Sequence, residues 1–200
     1  MAIPEKTPAP LKWLDDNWPF AGAVSMLFLI GMLPLVAGVW SFALVLVFLQ
    51  LIVYQIHQLE EHLGDRFRRF VNETVAGGQE ALTPRATMWI NVGCVWIVYF
   101  VALLMAGLFD VGWGLIAVYT MLLNALAHVA MTLALHRYNP GLWTAIFLFL
   151  PVGGFTWIIL SECNGLGMIA HIVGLATALA IHIGIVLSVK HREHMLTHLA

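Results

Sequence analysis

Six long apolar segments constrain the fold of this chain more than any other feature of its sequence. They cover residues 18–37, 39–63, 86–109, 113–135, 141–160 and 166–189. A transmembrane helix needs about 20 predominantly apolar residues, so each segment is long enough to cross a bilayer. The alternating segments of about ten residues that form membrane β-barrels do not occur. The sequence therefore predicts an all-α, polytopic membrane bundle of six transmembrane helices.

The composition argues against several other classes of protein. Hydrophobic residues occupy 61% of the 200 positions, charged residues occupy 10%, and the net charge is −2. Soluble domains average about 45–50% apolar and about 25% charged residues. A chain with these properties is not expected to bind nucleic acid, to be disordered or to form a secreted disulfide scaffold. Its expected partner is the lipid bilayer.

The positive charges predict the orientation of the bundle. When six spans alternate across the bilayer, all nine lysines and arginines fall on the side that holds both termini. They are Lys6, Lys12, Arg66, Arg68, Arg69, Arg85, Arg137, Lys190 and Arg192. The positive-inside rule makes this side the cytoplasm.

This orientation divides the chain into three parts. A cytoplasmic or interfacial segment (1–17) precedes the six-helix transmembrane domain (18–189), and a cytoplasmic tail (190–200) follows it. The domain contains one long cytoplasmic loop, at about 64–85. We expect this loop to begin as a helical extension of the second span and to present a cationic surface to lipid headgroups.

Ionisable residues at the end of the second span are the strongest indication of function, because burying them in a membrane is costly unless they are paired or ligated. Glu60 and Glu61 follow His57 by three and four residues, so both can lie beside its imidazole on a helix. One imidazole with two carboxylates can hold a metal ion and leave one carboxylate as a base. His62 is turned away from this face, and we expect it to meet water at the cytoplasmic interface.

Other spans carry polar side chains at a matching depth. From a helical rise of about 1.5 Å per residue, His57, Asn91, His128 and His182 all fall within roughly 7–12 Å of the inner membrane edge. Asn124 lies four residues before His128, on the same helical face. The predicted metal ligands are therefore His57, Glu60, Glu61, His128 and His182, with Glu60 also the candidate catalytic base. Asn91 and Asn124 are predicted to support these ligands by hydrogen bonding.

His171 does not belong to this level of the membrane. It is eleven residues from His182 on the same predicted helix, which separates the two α-carbons by about 16 Å. It lies nearer Glu162 and the outer surface. These two residues are candidates for a separate outer site, and a hydrogen bond between helices is an equally good interpretation of His171.

The pattern His57-x-x-Glu60-Glu61 resembles the HXXEE family of bacterial membrane proteins, which is named after this motif. The resemblance extends to the segment 124–128 and to the turn at 138–141. It implies a multi-helix protein of the bacterial inner membrane that is thought to be an enzyme, without a settled reaction.

Two classes of function fit these residues. The first is a membrane metalloenzyme with one or two transition-metal ions, acting on a hydrophobic substrate such as a lipid or isoprenoid, with its site open toward the cytoplasmic leaflet. Imidazole and carboxylate ligands suit iron and zinc alike. Zinc would make an intramembrane hydrolase. We favour an iron oxidoreductase, because a hydrocarbon chain has few bonds that a hydrolase could attack.

The second class is a proton-coupled transporter, which the lack of an internal repeat disfavours. Gly and Ala in the fourth and sixth spans permit close helix contacts and leave the oligomeric state open.

Overall fold

The computed structural model describes residues 9–163 and 167–198, and these residues form helices and turns without any strand. The seven helices are α1 (Ala9–Ala37), α2 (Phe42–His62), α3 (Arg66–Thr74), α4 (Pro84–Leu108), α5 (Val111–Leu135), α6 (Leu142–Glu162) and α7 (Met168–Thr197). All except α3 are long and apolar enough to cross a membrane, which confirms the six predicted spans. Two residues named above lie outside the described residues: Lys6, and Leu166 at the start of the predicted sixth span.

Local sequence signals set several helix boundaries. The Ser41 hydroxyl accepts a hydrogen bond from a backbone amide at the start of α2, and Thr83 does the same before Pro84 at the start of α4. After α2, Gly64 and Asp65 adopt left-handed backbone, with φ of 71° and 61°. This left-handed turn separates α2 from α3. The expectation that the loop begins as an extension of the second span is therefore wrong.

Four membrane helices depart from the simplest expectation. Helix α1 begins at Ala9 and α7 continues to Thr197, so helix occupies part of the N-terminal segment and of the tail. Helix α6 is π-helical over residues 145–153, around Pro151, and α4 is π-helical over residues 89–96. A π-helical turn shifts the backbone hydrogen bonds by one residue and often occurs near functional sites.

Helix α2 is the centre of the bundle. It packs against α1, α4, α5 and α6, whereas α7 packs mainly along α5. Val47, Phe48 and Ile52 of α2 form a buried cluster with Leu115 and Val118 of α5. This central position of α2 places its C-terminal polar residues between the surrounding helices.

The linker between α2 and α4 folds back over one end of the bundle. Phe70, Val71 and Leu82 form a buried cluster there, packed against side chains of α4 and α5. The Asn72 amide closes the linker by bonding the backbone N–H and C=O of Leu82, both at 2.8 Å. The linker is therefore amphipathic: its apolar face covers the bundle, and cations such as Arg69 lie on its exposed face.

Candidate metal centre

Three buried side chains converge at the end of the bundle that the linker covers. They are His57 and Glu61 of α2 and His128 of α5, and one ligand atom of each lies within 4.8 Å of the other two. Their exposed fractions are 0%, 4% and 3%. His57 and Glu61 share a face because they are four residues apart on α2, and the packing of α5 against α2 adds His128. We call these three residues the cluster.

The Glu61 carboxylate lies between the two imidazoles of the cluster. The Nε2 atom of His57 is 3.4 Å from one carboxylate oxygen, and the Nε2 atom of His128 is 3.5 Å from the other. Both separations exceed the length of an N–H···O hydrogen bond, which is about 2.7–3.2 Å. The Nε2 atom of His57 is buried and has no hydrogen-bond partner.

The second nitrogen of His57 defines its tautomer. Its Nδ1 atom is 2.8 Å from the Thr144 hydroxyl oxygen, which is 2.6 Å from a carboxylate oxygen of Glu60. Because an ionised carboxylate only accepts hydrogen bonds, the hydroxyl donates to Glu60 and its oxygen accepts from His57 Nδ1–H. The Nε2 atom of His57 therefore carries a lone pair directed at the cluster.

His128 is held in the same tautomer by a different residue. The Asn139 amide nitrogen donates to the backbone oxygen of His128 at 2.9 Å and to the Thr132 hydroxyl at 2.7 Å. These two bonds orient the amide so that its oxygen accepts from the Nδ1–H of His128. The Nε2 lone pair of His128 consequently also faces Glu61.

The cluster thus brings together two imidazole lone pairs and one carboxylate, an arrangement that is unfavourable unless a cation lies among them. Ligands about 2.0–2.1 Å from a tetrahedral metal ion are about 3.3–3.4 Å apart. The observed separations of 3.4 Å and 3.5 Å, each to a different oxygen of Glu61, are close to this value, and the three ligand atoms lie within 4.8 Å of one another. Two imidazoles and a carboxylate also match the ligand preferences of iron and zinc. The cluster can therefore hold a transition-metal ion.

Gly141 allows the loop before α6 to approach both imidazoles. Its φ of 99° lies in the region that favours glycine. A Cβ atom at this position would lie 2.6 Å from Cε1 of His128 and 2.9 Å from Cε1 of His57. Any larger residue would displace one of the two rings.

Glu60 lies outside the cluster, which differs from its predicted role as a metal ligand and catalytic base. Its carboxylate accepts hydrogen bonds from the backbone N–H groups of Trp143 at 3.2 Å and Thr144 at 2.7 Å, and from the Tyr138 hydroxyl at 2.8 Å. These amides belong to the first turn of α6, where they lack intrahelical partners and where the helix dipole favours a negative charge. Glu60 therefore fixes α6 against α2 and, through Thr144, orients His57.

Tyr138 shows the effect of this carboxylate on a neighbouring group outside the membrane spans. Partial burial and the hydrogen bond to Glu60 raise the pKa of Tyr138 to about 12. The phenol therefore remains a hydrogen-bond donor to Glu60 throughout the neutral and mildly alkaline range.

His62 is a site residue that the sequence interpretation missed. It is 6% exposed rather than water-facing, and its Nε2 atom lies 3.0 Å from the Glu61 oxygen that also faces His57. Trp18 of α1 packs on its ring at 4.8 Å between centroids. The helical period places His62 and His57 on different faces of α2. The Glu61 side chain is nevertheless long enough for its carboxylate to lie near both imidazoles.

A cavity of about 230 Å³ lies beside the cluster, bounded by α3, α4, α5 and α7. Glu61, His62 and His128 form part of its wall, together with Asn124 and the predicted ligand His182. The remaining wall is largely apolar. This volume exceeds the roughly 150 Å³ of an engineered apolar cavity that binds benzene.

The other predicted site residues near the cavity have separate roles. His182 donates from Nδ1 to the backbone oxygen of Ala178 at 2.8 Å and is not a member of the cluster. Asn91 lies in the cavity wall, but its amide bonds Gln58 at 2.8 Å and the backbone of Thr87 at 2.9 Å. The Asn124 side-chain oxygen is buried without a hydrogen-bond partner.

The residues of the predicted outer site take part in helix packing. The Trp157 indole N–H donates to the Tyr119 hydroxyl at 3.0 Å, and that hydroxyl is 2.9 Å from Nδ1 of His171. Glu162 is exposed and, among the described contacts, does not join this network. The hydrogen bond between Tyr119 and His171 links α5 to α7, as expected if His171 takes part in helix packing.

The fold and the site define a class: a helical protein with six helices long and apolar enough to span a membrane and a buried His–Glu–His cluster. The chain belongs to the HXXEE family, since the family model described as "Protein of unknown function with HXXEE motif" matches residues 48–158. The matched region contains the whole cluster together with Glu60 and the loop before α6. No curated protein and no solved structure matches the chain.

Proposed function

We propose that this protein is a membrane metalloenzyme in which His57, Glu61 and His128 bind a single transition-metal ion beside a cavity for a hydrophobic substrate. One observation carries the proposal: both Nε2 lone pairs face the Glu61 carboxylate, because Thr144 and Asn139 occupy the other two ring nitrogens. Metal-binding histidines almost always donate their other ring N–H in this way, which fixes the tautomer and the orientation of the ring.

The carboxylates favour one ion rather than two. Dinuclear carboxylate sites in helical bundles use several glutamates that project to one point. Here Glu61 alone faces the imidazoles, whereas the Glu60 carboxylate already accepts hydrogen bonds from α6. The same observation removes Glu60 as the proposed base.

Iron is the favoured metal. Two histidines and one carboxylate that leave open positions are the donor set of non-haem iron oxygenases, and iron bound there would supply oxidation by dioxygen. The apolar cavity supports a hydrocarbon or isoprenoid substrate for such chemistry. Zinc is the second candidate, because the ligand separations suit a tetrahedral ion and two histidines with a glutamate also form hydrolytic zinc sites.

Residues of the chain would position the substrate and move protons. Apolar residues of α3 and α7 in the cavity wall exclude water from the centre. The unpartnered Asn124 oxygen can accept a hydrogen bond from a substrate hydroxyl. His62, beside Glu61 and in the cavity wall, is the proposed proton acceptor in place of Glu60.

The location of the centre indicates how a substrate reaches it. The linker carries three of the nine lysines and arginines of the chain, and Arg137 and Lys190 lie beside it. By the positive-inside rule we propose that this end lies at the cytoplasmic leaflet of the bacterial inner membrane. Phe67, Val71 and Leu82 of the linker line the cavity and cover it on that side. Entry from the lipid is therefore favoured over entry from the cytosol.

The enzyme proposal has more support than a proton-coupled carrier. A carrier needs polar groups that connect its site to both sides of the membrane. The Tyr119–His171–Trp157 group of the opposite half is occupied by its own hydrogen bonds.

Metal analysis tests the proposal. The full chain is purified with a tag that contains no histidine, and His194 and His198, whose rings meet edge to face in the tail with 4.3 Å between centroids, are both replaced by alanine. We expect one iron per chain, loss of that iron in Glu61→Gln, and no change in the matched control Glu73→Gln, which alters an exposed carboxylate of α3. A metal-free protein would refute the proposal.

The reaction class is tested with bacterial lipid extract in nanodiscs and mass spectrometry of the products. An iron oxidoreductase should give dioxygen-dependent products that have gained oxygen or lost two hydrogens, and Glu61→Gln should abolish them. Hydrolysed lipids formed without dioxygen by a zinc-loaded protein would favour the hydrolase.

A further inference from the structure

A second cavity, separate from the metal centre, lies between α1, α2 and α4 and has a volume of about 150 Å³. Its wall contains four aromatic residues, Tyr54, Trp96, Tyr99 and Phe100, together with Gln55 and two leucines. Phe100 is 54% exposed on the surface that faces lipid. The cavity is therefore an aromatic pocket reached from the membrane.

Two polar atoms in this wall have no hydrogen-bond partner. They are the side-chain oxygen of Gln55 and the hydroxyl of Tyr99, on residues that are only 7% and 2% exposed. In the hydrocarbon region an unsatisfied polar group is unfavourable, because water is too scarce to bond it. A ligand that satisfies both atoms would remove this cost.

The chemistry of the two atoms defines such a ligand. An amide oxygen can only accept, so the ligand must carry a hydrogen-bond donor for Gln55, whereas the Tyr99 hydroxyl can donate to a second ligand oxygen. The indole N–H of Trp96 already donates to Gln58, so Trp96 and Phe100 offer only ring faces and edges. The cavity volume matches the roughly 150 Å³ that accommodates one benzene ring.

We propose that this second cavity binds the ring of a membrane-soluble quinol or related dihydroxybenzene. One ligand hydroxyl donates to Gln55, and the Tyr99 hydroxyl donates to the other ligand oxygen. The aromatic side chains stack against the ring, and any alkyl tail leaves past Phe100 into the lipid. This site goes beyond the proposed function and does not depend on a metal at the cluster.

The test compares a decyl-substituted benzoquinol with its quinone by calorimetric titration of the full chain in nanodiscs under anaerobic conditions. The quinone lacks the hydroxyl that Gln55 requires. We expect one quinol per chain and about tenfold weaker binding of the quinone, the ratio that one hydrogen bond of about 1.4 kcal/mol produces.

Variants assign the effect to the pocket. Gln55→Leu removes a buried unsatisfied oxygen and should abolish the preference for quinol, and Tyr99→Phe should weaken binding of both forms. Leu29→Trp should fill the cavity and block both. Tyr119→Phe, a tyrosine outside the pocket, is the matched control and should change neither.

Two results would overturn the proposal. Equal binding of quinol, quinone and 1-decanol would show that the pocket takes an alkyl chain. Absence of quinol binding to the wild-type protein would show that the cavity is not a quinol site. Since the titration needs no metal, neither result bears on the cluster.

Discussion

The two adjacent glutamates of the motif should respond differently to the same chemical change. Glu61→Gln and Glu60→Gln each replace one carboxylate by an amide of equal size. Glu61 faces two imidazole lone pairs, whereas Glu60 accepts hydrogen bonds from the first turn of α6. We expect the first variant to lose stoichiometric metal and the second to keep it with reduced affinity.

The magnitude for Glu60→Gln follows from its four hydrogen bonds. The two from Thr144 end on one carboxylate oxygen, and those from Tyr138 and the Trp143 amide end on the other. A glutamine oxygen can keep the Thr144 pair, and the Tyr138 hydroxyl can rotate to accept, but the glutamine NH₂ then faces the Trp143 N–H. The variant therefore loses one charge-assisted hydrogen bond, and such a bond contributes about 1.5–3 kcal/mol to the free energy of unfolding. Because Glu60 is only half-buried, we expect a loss of stability of about 2 kcal/mol.

The effect on the metal should be of similar size. Removing a group that orients a metal-binding histidine through a hydrogen bond usually weakens metal binding by about 10–100-fold, which corresponds to about 1.4–2.8 kcal/mol. Competition with a chelator of known affinity measures the dissociation constant, and circular dichroism confirms that each variant is helical. If folded Glu61→Gln keeps its metal, or folded Glu60→Gln loses all of it, the division of roles is wrong.

Three further predictions follow from neighbouring residues. Gly141→Ala should reduce metal content by at least tenfold, because its Cβ would lie 2.6–2.9 Å from both imidazoles; metal analysis showing wild-type content would contradict the geometry. His62→Phe preserves the packing on Trp18 and should keep one metal per chain, so complete metal loss would make His62 a ligand. In an absorbance titration at alkaline pH, the signal removed by Tyr138→Phe should titrate near pH 12, and Glu60→Gln should lower that pKa; an unchanged value would mean that Glu60 does not bond the phenol.

Features carried by local sequence could be predicted, and those created by distant segments could not. The six spans follow from runs of apolar residues, and the pairing of His57 with Glu61 follows from helical spacing. Matching depth correctly suggested that His128 would lie near them. Each of these inferences needs only the rise and period of a helix.

Glu60 shows why the rest was missed. Considered on α2 alone, Glu60 is as well placed as Glu61 to approach His57. Its carboxylate has other partners only because α6 packs beside it, and Thr144 of α6 lies 84 positions away in the sequence. The one sequence signal for these partners of Glu60 was the turn at 138–141. It contains Gly141, which adopts positive φ in the structure. His62 was missed because its burial depends on Trp18 of α1 and on the separate linker helix.

X-ray absorption at the edge of the bound metal tests the central claim most directly. The account predicts a single ion with two imidazole nitrogens and carboxylate oxygen at about 2.0–2.2 Å, and loss of the bound metal, and with it the edge signal, when His57 and His128 are replaced. A second metal about 3.5–4 Å away, as in dinuclear sites, would contradict a one-ion centre. So would a spectrum unchanged by these two replacements.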